Sequence, residues 1–278
     1  MMEAANFIDN ARGNLAYAER MAQKAMQLNP RLADVYISMG GIYIQLGRNV
    51  EAIEKLKKGN GMAPNSDWAH DMLGYAYHYT GLIDLAEREY LRSMELNPTS
   101  HRVHWMHARM LLYLGKVKEA EEEMRRILAN SPDQYKAMAY LGEFLYYQGK
   151  LAEAEPILLK AKELSGPKGD DAPLYFLGFL YASQGNRQKI DPKVLSPNRE
   201  DVIDGDLAYW ITSVYSLLGD RSQALSWLRR SMELGNHNYP WFQRDKNFEK
   251  LRSDPEYQQI MEQVRQYFER YRQLYGKG

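Results

Sequence analysis

Residues 31–64 read RLADVYISMGGIYIQLGRNVEAIEKLKKGNGMAP, and two apolar stripes run through them. Tyr36, Met39, Gly40 and Tyr43 fall three or four residues apart, as do Ala52 and Leu56, so each half of the segment has helical period. Gly47 separates the halves and Ala63-Pro64 closes the second. Glycine accommodates the left-handed turn that ends a helix, and proline bars a helix from continuing. The segment is expected to be two helices and a turn.

The same grammar recurs in phase. Gly13, Gly47, Gly81, Gly115 and Gly149 are each 34 residues apart, followed by Gly185 and Gly219. Pro30, Pro64, Pro98 and Pro132 keep the same step, 17 residues after a glycine. The third unit reads Leu73, Gly74, Tyr77, Gly81, Ala86, Tyr90, Pro98; the fifth reads Leu141, Gly142, Leu145, Gly149, Ala154, Leu158, with Pro167 one place late. Gly40, Gly74, Ala108, Gly142 and Gly178 are small where two helices must approach closely.

Composition bounds what such an array can do. The chain has 278 residues, with 36 basic and 36 acidic side chains, so no net field draws it to nucleic acid or an anionic membrane. Without cysteine it has no disulfide, thiolate nucleophile or cysteine-held metal. No run of eighteen apolar residues and no basic-then-apolar leader occurs, which gives the expectation of a cytoplasmic protein without membrane insertion.

The repeat resembles the tetratricopeptide repeat, whose 34-residue signature is W-x₂-L-G-x₂-Y, then A-x₃-F, then P. The resemblance covers residues 1–236 as seven units. The tryptophan position departs from it, holding Tyr36, His70, His104, Met138, Leu174 and Ala208. It implies an all-α, right-handed superhelical solenoid of about seven helix-turn-helix units. The first unit starts almost inside its first helix, at residues 1–10, as a fragment of a longer protein would. The sixth is expected to be irregular over 187–204, where Pro192 and Pro197 fall in the middle of the second helix. This stretch reads as an eroded repeat, with a docking loop or hinge as the other reading.

Residues 237–278 form a separate C-terminal segment. Asp254-Pro255-Glu256 is a helix start, and Tyr257, Ile260, Met261, Val264, Phe268 and Tyr271 make one stripe suited to capping the array. Tyr267, Phe268, Tyr271 and Tyr275 would serve equally to cover a partner subunit, which makes a homodimer through this helix a second expectation. The run Tyr239-Pro240-Trp241-Phe242 to Asp254-Pro255 resembles tails that close tetratricopeptide regions of large bacterial regulators and serine/threonine kinases, and implies an effector domain upstream.

Nothing in the sequence carries catalysis: there is no phosphate-binding glycine loop, H-E-x-x-H, G-x-S-x-G or kinase signature. His70, His101, His104 and His107 could be spaced for a metal, but His104 and His107 stand where Tyr36 and Met39 stand in the second unit, so they read as packing residues. No cofactor and no metal are expected.

The resemblance further implies that unit positions 2, 5, 9, 12 and 13 line the concave face. Here that set is Trp68, Asp71, Tyr75, His78 and Tyr79; Arg102, Trp105, Arg109 and Tyr113; Glu143, Tyr146 and Tyr147; Tyr175 and Phe179; and Tyr209. Tyrosine and tryptophan give large contact area at little rotamer cost and keep a polar handle. The expectation is a non-enzymatic module whose aromatic groove binds a protein or peptide partner. The alternative is a regulatory, sensory or self-association domain of a larger bacterial transcription factor or kinase. The lysines and asparagines of the chaperone-binding carboxylate clamp are absent from the matching positions, which hold Asp71, Tyr75, Trp105 and Arg109.

Overall fold

The computed structural model describes residues 2–166 and 171–276, with side chains from residue 14 onward. Met1 and Pro167, which entered the repeat reading, lie outside the described residues.

Among the described residues the regular elements are all helical. A long helix α1 (Met2–Leu28) precedes four regular hairpins: α2 (Ala33–Gln45) with α3 (Asn49–Met62), α4 (Asp67–Tyr79) with α5 (Ile83–Leu96), α6 (His101–Tyr113) with α7 (Val117–Asn130), and α8 (Tyr135–Tyr147) with α9 (Leu151–Ser165). Next come α10 (Ala172–Ser183), a 3-10 turn at Arg187–Lys189 and the single-turn α11 (Pro192–Leu195). A last hairpin joins α12 (Gly205–Leu218) to α13 (Arg221–Glu233), and α14 (Tyr239–Arg244), a second 3-10 stretch (Lys246–Leu251) and α15 (Pro255–Tyr275) complete the chain.

The glycines do what their spacing predicts. From Gly47 to Gly219 the six inter-helix glycines have φ between 70° and 82°, a region that costs other residues about 1 kcal/mol or more. Gly13 differs, lying within the unbroken helix α1, so the first unit is one helix rather than a hairpin. A helix-interior glycine costs only about 0.5–1 kcal/mol, which a continuous backbone ladder absorbs. The small residues mark close approaches: a Cβ on Gly142 would stand 2.4 Å from Leu158 Cγ, and one on Gly74 would stand 2.9 Å from the Tyr90 ring.

In the sixth unit the two prolines have the expected effect. Asp191 caps α11 by accepting from the Lys193 amide at 3.1 Å, and Pro192 occupies its first turn. Ile190 and Val194 still bury their side chains against Gly178 of α10, so the irregular strap fills the place of the missing helix.

The stacked hairpins curve until the two ends meet. Gly235 packs against Gly47 so closely that a Cβ would lie 2.6 Å from Gly47 Cα. Asn49 Nδ2 donates to Gly235 O at 2.7 Å, and the His237 amide donates to Tyr79 O at 2.8 Å. Helix α15 starts beside α13, where Arg221 pairs with Asp254 and Glu256. It runs back to the N-terminal repeats, where Phe268 meets Gly81, Tyr271 OH bonds the His237 ring at 2.8 Å, and the Tyr77 and Tyr275 rings meet edge-on. It thus bridges the ends of the array, with Phe268, Tyr271 and Tyr275 against the chain's own first repeats, while Tyr267 stacks on His237 and stays partly exposed.

Candidate functional site on the concave face

Along much of its length the inner wall meets the chain itself. Residues 236–252 run through the channel, and most of the rings expected to line an open groove are buried against them or against neighbouring helices. Trp241 packs on Tyr113 and Tyr147, with centroids 4.6 and 5.3 Å away, and its Nε1 donates to Tyr209 OH at 2.6 Å. Tyr209 also stacks on Phe242. Asp245 accepts from Tyr147 OH at 3.1 Å, from Tyr209 OH and from the Asn247 amide. Tyr146 OH donates to Asn247 Oδ1 at 2.6 Å while Lys246 Nζ lies 3.9 Å from its ring centroid. Arg244 donates to Tyr113 O.

Desolvation governs the charges here. Burial raises the Asp245 carboxyl to about 6 despite its hydrogen bonds, and lowers Lys246 to about 8 despite the neighbouring carboxylate. Glu143, buried on α8 with Oε2 lacking a hydrogen bond, is raised to about 8, mainly by burial. His78 is fully buried among Tyr75, Tyr79 and Tyr113 and is lowered to about 3 for the same reason. Phe179 packs on Tyr146 and Phe176, and Tyr175 on Trp210.

At the other end of the channel the wall stays open. A cleft of about 640 Å³ lies between α4, α6, α8 and α12. It holds four of the expected residues, Tyr75, Arg102, Trp105 and Arg109. Asp71 sits behind Arg102, whose Nε donates to Asp71 Oδ2 at 2.8 Å. Trp68, exposed at the start of α4, lies outside the cleft lining. Arg109 is only 2% exposed, giving Nη1 to Asp206 Oδ2 and Nη2 to Tyr113 OH, both at 2.8 Å. Asp204 accepts from Tyr75 OH at 3.4 Å and Tyr79 OH at 3.2 Å, and caps α12 through the Leu207 amide. Trp105 is half-buried and stacks on Tyr140.

Several lining residues were missed in the sequence. Met72, Met106, Tyr140 and Trp210 all hold the sixth place of their units, one beyond an inward position, and that shared phase was the available signal. Lys136 holds a second place, already an inward one, and joins the wall. Asp206 likewise holds the second place of the seventh unit, whereas Asp204 precedes that unit and has no inward place. The histidines form local pairs: His104 and His107 each place Nδ1 2.7 Å from Glu123, and His70 Nδ1 lies 2.6 Å from Glu89. His104 Nε2 faces Pro98 O at 3.0 Å, and with Glu123 on its other nitrogen the ring is raised above the usual histidine range.

Family models for the tetratricopeptide repeat match residues 69–100 and 106–171. The chain carries tetratricopeptide repeats. Neither match reaches residues 237–278. Among solved structures, the chain is similar to one in the anaphase-promoting-complex hetero-tetramer Cut9–Hcn1, with TM-score 0.60 and 15% identity over 91% of this chain and 46% of that one. It is also similar to the tetratricopeptide protein TTC0263 of Thermus thermophilus, with TM-score 0.53 and 22% identity over 60% of this chain and 91% of that one. These likenesses establish the fold, a right-handed solenoid of helical hairpins. The comparison with curated proteins finds no match. Among the described residues no helix is long and apolar enough to cross a membrane.

Proposed function

We propose that this chain is a non-enzymatic protein-interaction module that binds a short peptide segment of a partner at the open cleft of its concave face. The observation that carries the reading is the division of the inner wall. Residues 236–252 fill one part, and a cleft with four aromatic side chains, Tyr75, Trp105, Tyr140 and Trp210, remains accessible. Such side chains provide contact area at low entropic cost, and guanidinium groups beside them add directional hydrogen bonds. The filled channel restricts the guest: a peptide cannot thread the solenoid, so it enters by one or two side chains while the rest of it crosses the mouth. This reading narrows the binding set to Tyr75, Arg102, Trp105 and Arg109, with Trp68 beside it, and assigns the buried rings at Tyr113, Tyr146, Tyr147, Tyr175, Phe179 and Tyr209 to packing.

The test is selection of peptides from a random displayed library on the purified chain, followed by calorimetric titration. Trp105→Ala and Arg102→Ala are each expected to weaken a selected peptide by about 1–3 kcal/mol. Selected peptides whose affinity neither variant changes would remove the cleft from the account.

A further inference from the structure

We propose, building on that reading, that the cleft selects an acidic side chain, Asp or Glu, within a partner peptide that has an apolar neighbour. The argument begins with what the cleft already satisfies internally. Its aromatic faces are occupied by the chain's own cations: Arg102 lies 5.5 Å from the Tyr75 centroid, Arg109 5.9 Å from Tyr140 and 5.7 Å from Trp210, and Lys136 5.3 Å from Trp105. A cationic guest would therefore meet guanidinium and ammonium groups rather than open ring faces.

The acids around the cleft are mostly answered from within, although Asp71 Oδ1 is buried without a hydrogen-bond partner. Asp71 pairs with Arg102, Asp206 with Arg109 and with Asn236 Nδ2 at 2.9 Å, and Asp204 with two tyrosine hydroxyls and a backbone amide. Asp171 lies 3.8 Å from Lys193 Nζ. The nitrogens are less fully used. Arg109 Nε and Trp210 Nε1 are buried without a hydrogen-bond partner, a condition that native interiors rarely leave uncompensated. Arg102 commits Nε to Asp71, yet its side chain remains 40% exposed at the mouth, and a guanidinium has five donors. Arg109 Nε and Trp210 Nε1 are covered, so the donors open to a guest include those of Arg102 at the mouth, which an anion complements.

An acidic side chain fits better than a chain end because the apolar surface continues past the cleft. Trp68, Met72 and Tyr75 recur four and three residues apart on α4, forming one flank that runs from the cleft to the exposed Trp68. A chain whose acidic side chain is seated in the cleft can lay a neighbouring apolar residue on that flank.

The experiment titrates the full chain, with ¹⁵N-labelled indoles, against three acetylated tripeptides: Leu-Glu-Phe amide, Leu-Gln-Phe amide and Leu-Gln-Phe with a free C-terminal carboxylate. The Trp105 and Trp210 resonances are assigned with Trp105→Phe and Trp210→Phe. The Glu peptide is expected to shift both resonances and to bind at least tenfold tighter than the Gln amide. Arg102→Gln should erase the difference, while Arg102→Lys should keep part of it. Equal binding of the Glu and Gln amides overturns the acidic preference and leaves the peptide-binding reading standing. Preference for the free carboxylate replaces side-chain capture by end capture and also overturns the inference. No indole shift with any peptide overturns it as well, and the library selection then decides the broader reading separately.

Discussion

Replacing Glu143 with glutamine isolates the ionisation of one buried carboxyl. Glu143 is 3% exposed, its Oε2 has no hydrogen bond, and burial raises it from an ordinary value near 4.5 to about 8, with Arg109 opposing and Asp245 and Asp206 adding to the rise. The folded state therefore holds this proton more tightly than the unfolded chain does. Its contribution to stability is fully present below about pH 4.5 and is lost as pH rises through about 8. The slope is about 1.4 kcal/mol per pH unit, so the loss between pH 5 and pH 8 is on the order of 4 kcal/mol. Glutamine has nearly the same shape and no proton to lose, so Glu143→Gln carries a constant offset without the slope. Urea unfolding of both proteins at pH 5, 6.5 and 8 reads the difference directly, and titrations common to the two largely cancel. The variant is expected to gain on the parent by several kcal/mol across that range. Parallel stability profiles would refute the claim that the channel interior holds Glu143 desolvated and protonated at neutral pH.

Two further predictions concern the architecture. Gly142→Ala places a methyl 2.4 Å from Leu158 and should cost about 1–3 kcal/mol by overpacking, whereas Gly115→Ala meets no atom within 4 Å and should cost about 1–2 kcal/mol for its φ of 82° alone; thermal unfolding in which Gly142→Ala costs nothing contradicts the helix-pair geometry. Asn49→Ala removes the buried bond to Gly235 O and should destabilise the chain by about 1–3 kcal/mol, with faster hydrogen exchange at the His237 amide; unchanged exchange there would show that the ends of the array are not joined through this contact.

Much of the fold was readable because each unit solves a local problem. Gly47 and Pro64 bound one hairpin whatever lies elsewhere, and the prolines of the sixth unit forbid its second helix by the same short-range rule. Asp254 likewise announced α15, accepting from the Glu256 and Tyr257 amides at 2.8 and 3.2 Å. The candidate site was legible only in part. Tyr75, Arg102, Trp105 and Arg109 were identified from unit position. Trp210, in a sixth place, and Asp206, in a second, share their phase with other lining residues, whereas Asp204 lies before the seventh unit and reaches the cleft through the curvature of the array. The route of residues 236–252 left no local mark, since Trp241, Asp245 and Asn247 read equally well as a surface tail or as a buried strand of contacts.

Periodicity in the chain alone settled the helical hairpins, their turns and the stacking of neighbours, because those depend on contacts within one repeat or between adjacent ones. Whether the ribbon closes on itself, which rings are covered by the returning segment and which remain at an open cleft was decided in three dimensions. Small rotations between units add over the whole array, and their sum brings Asn49 to Gly235, and Tyr147 to Asp245, across separations that no local pattern encodes.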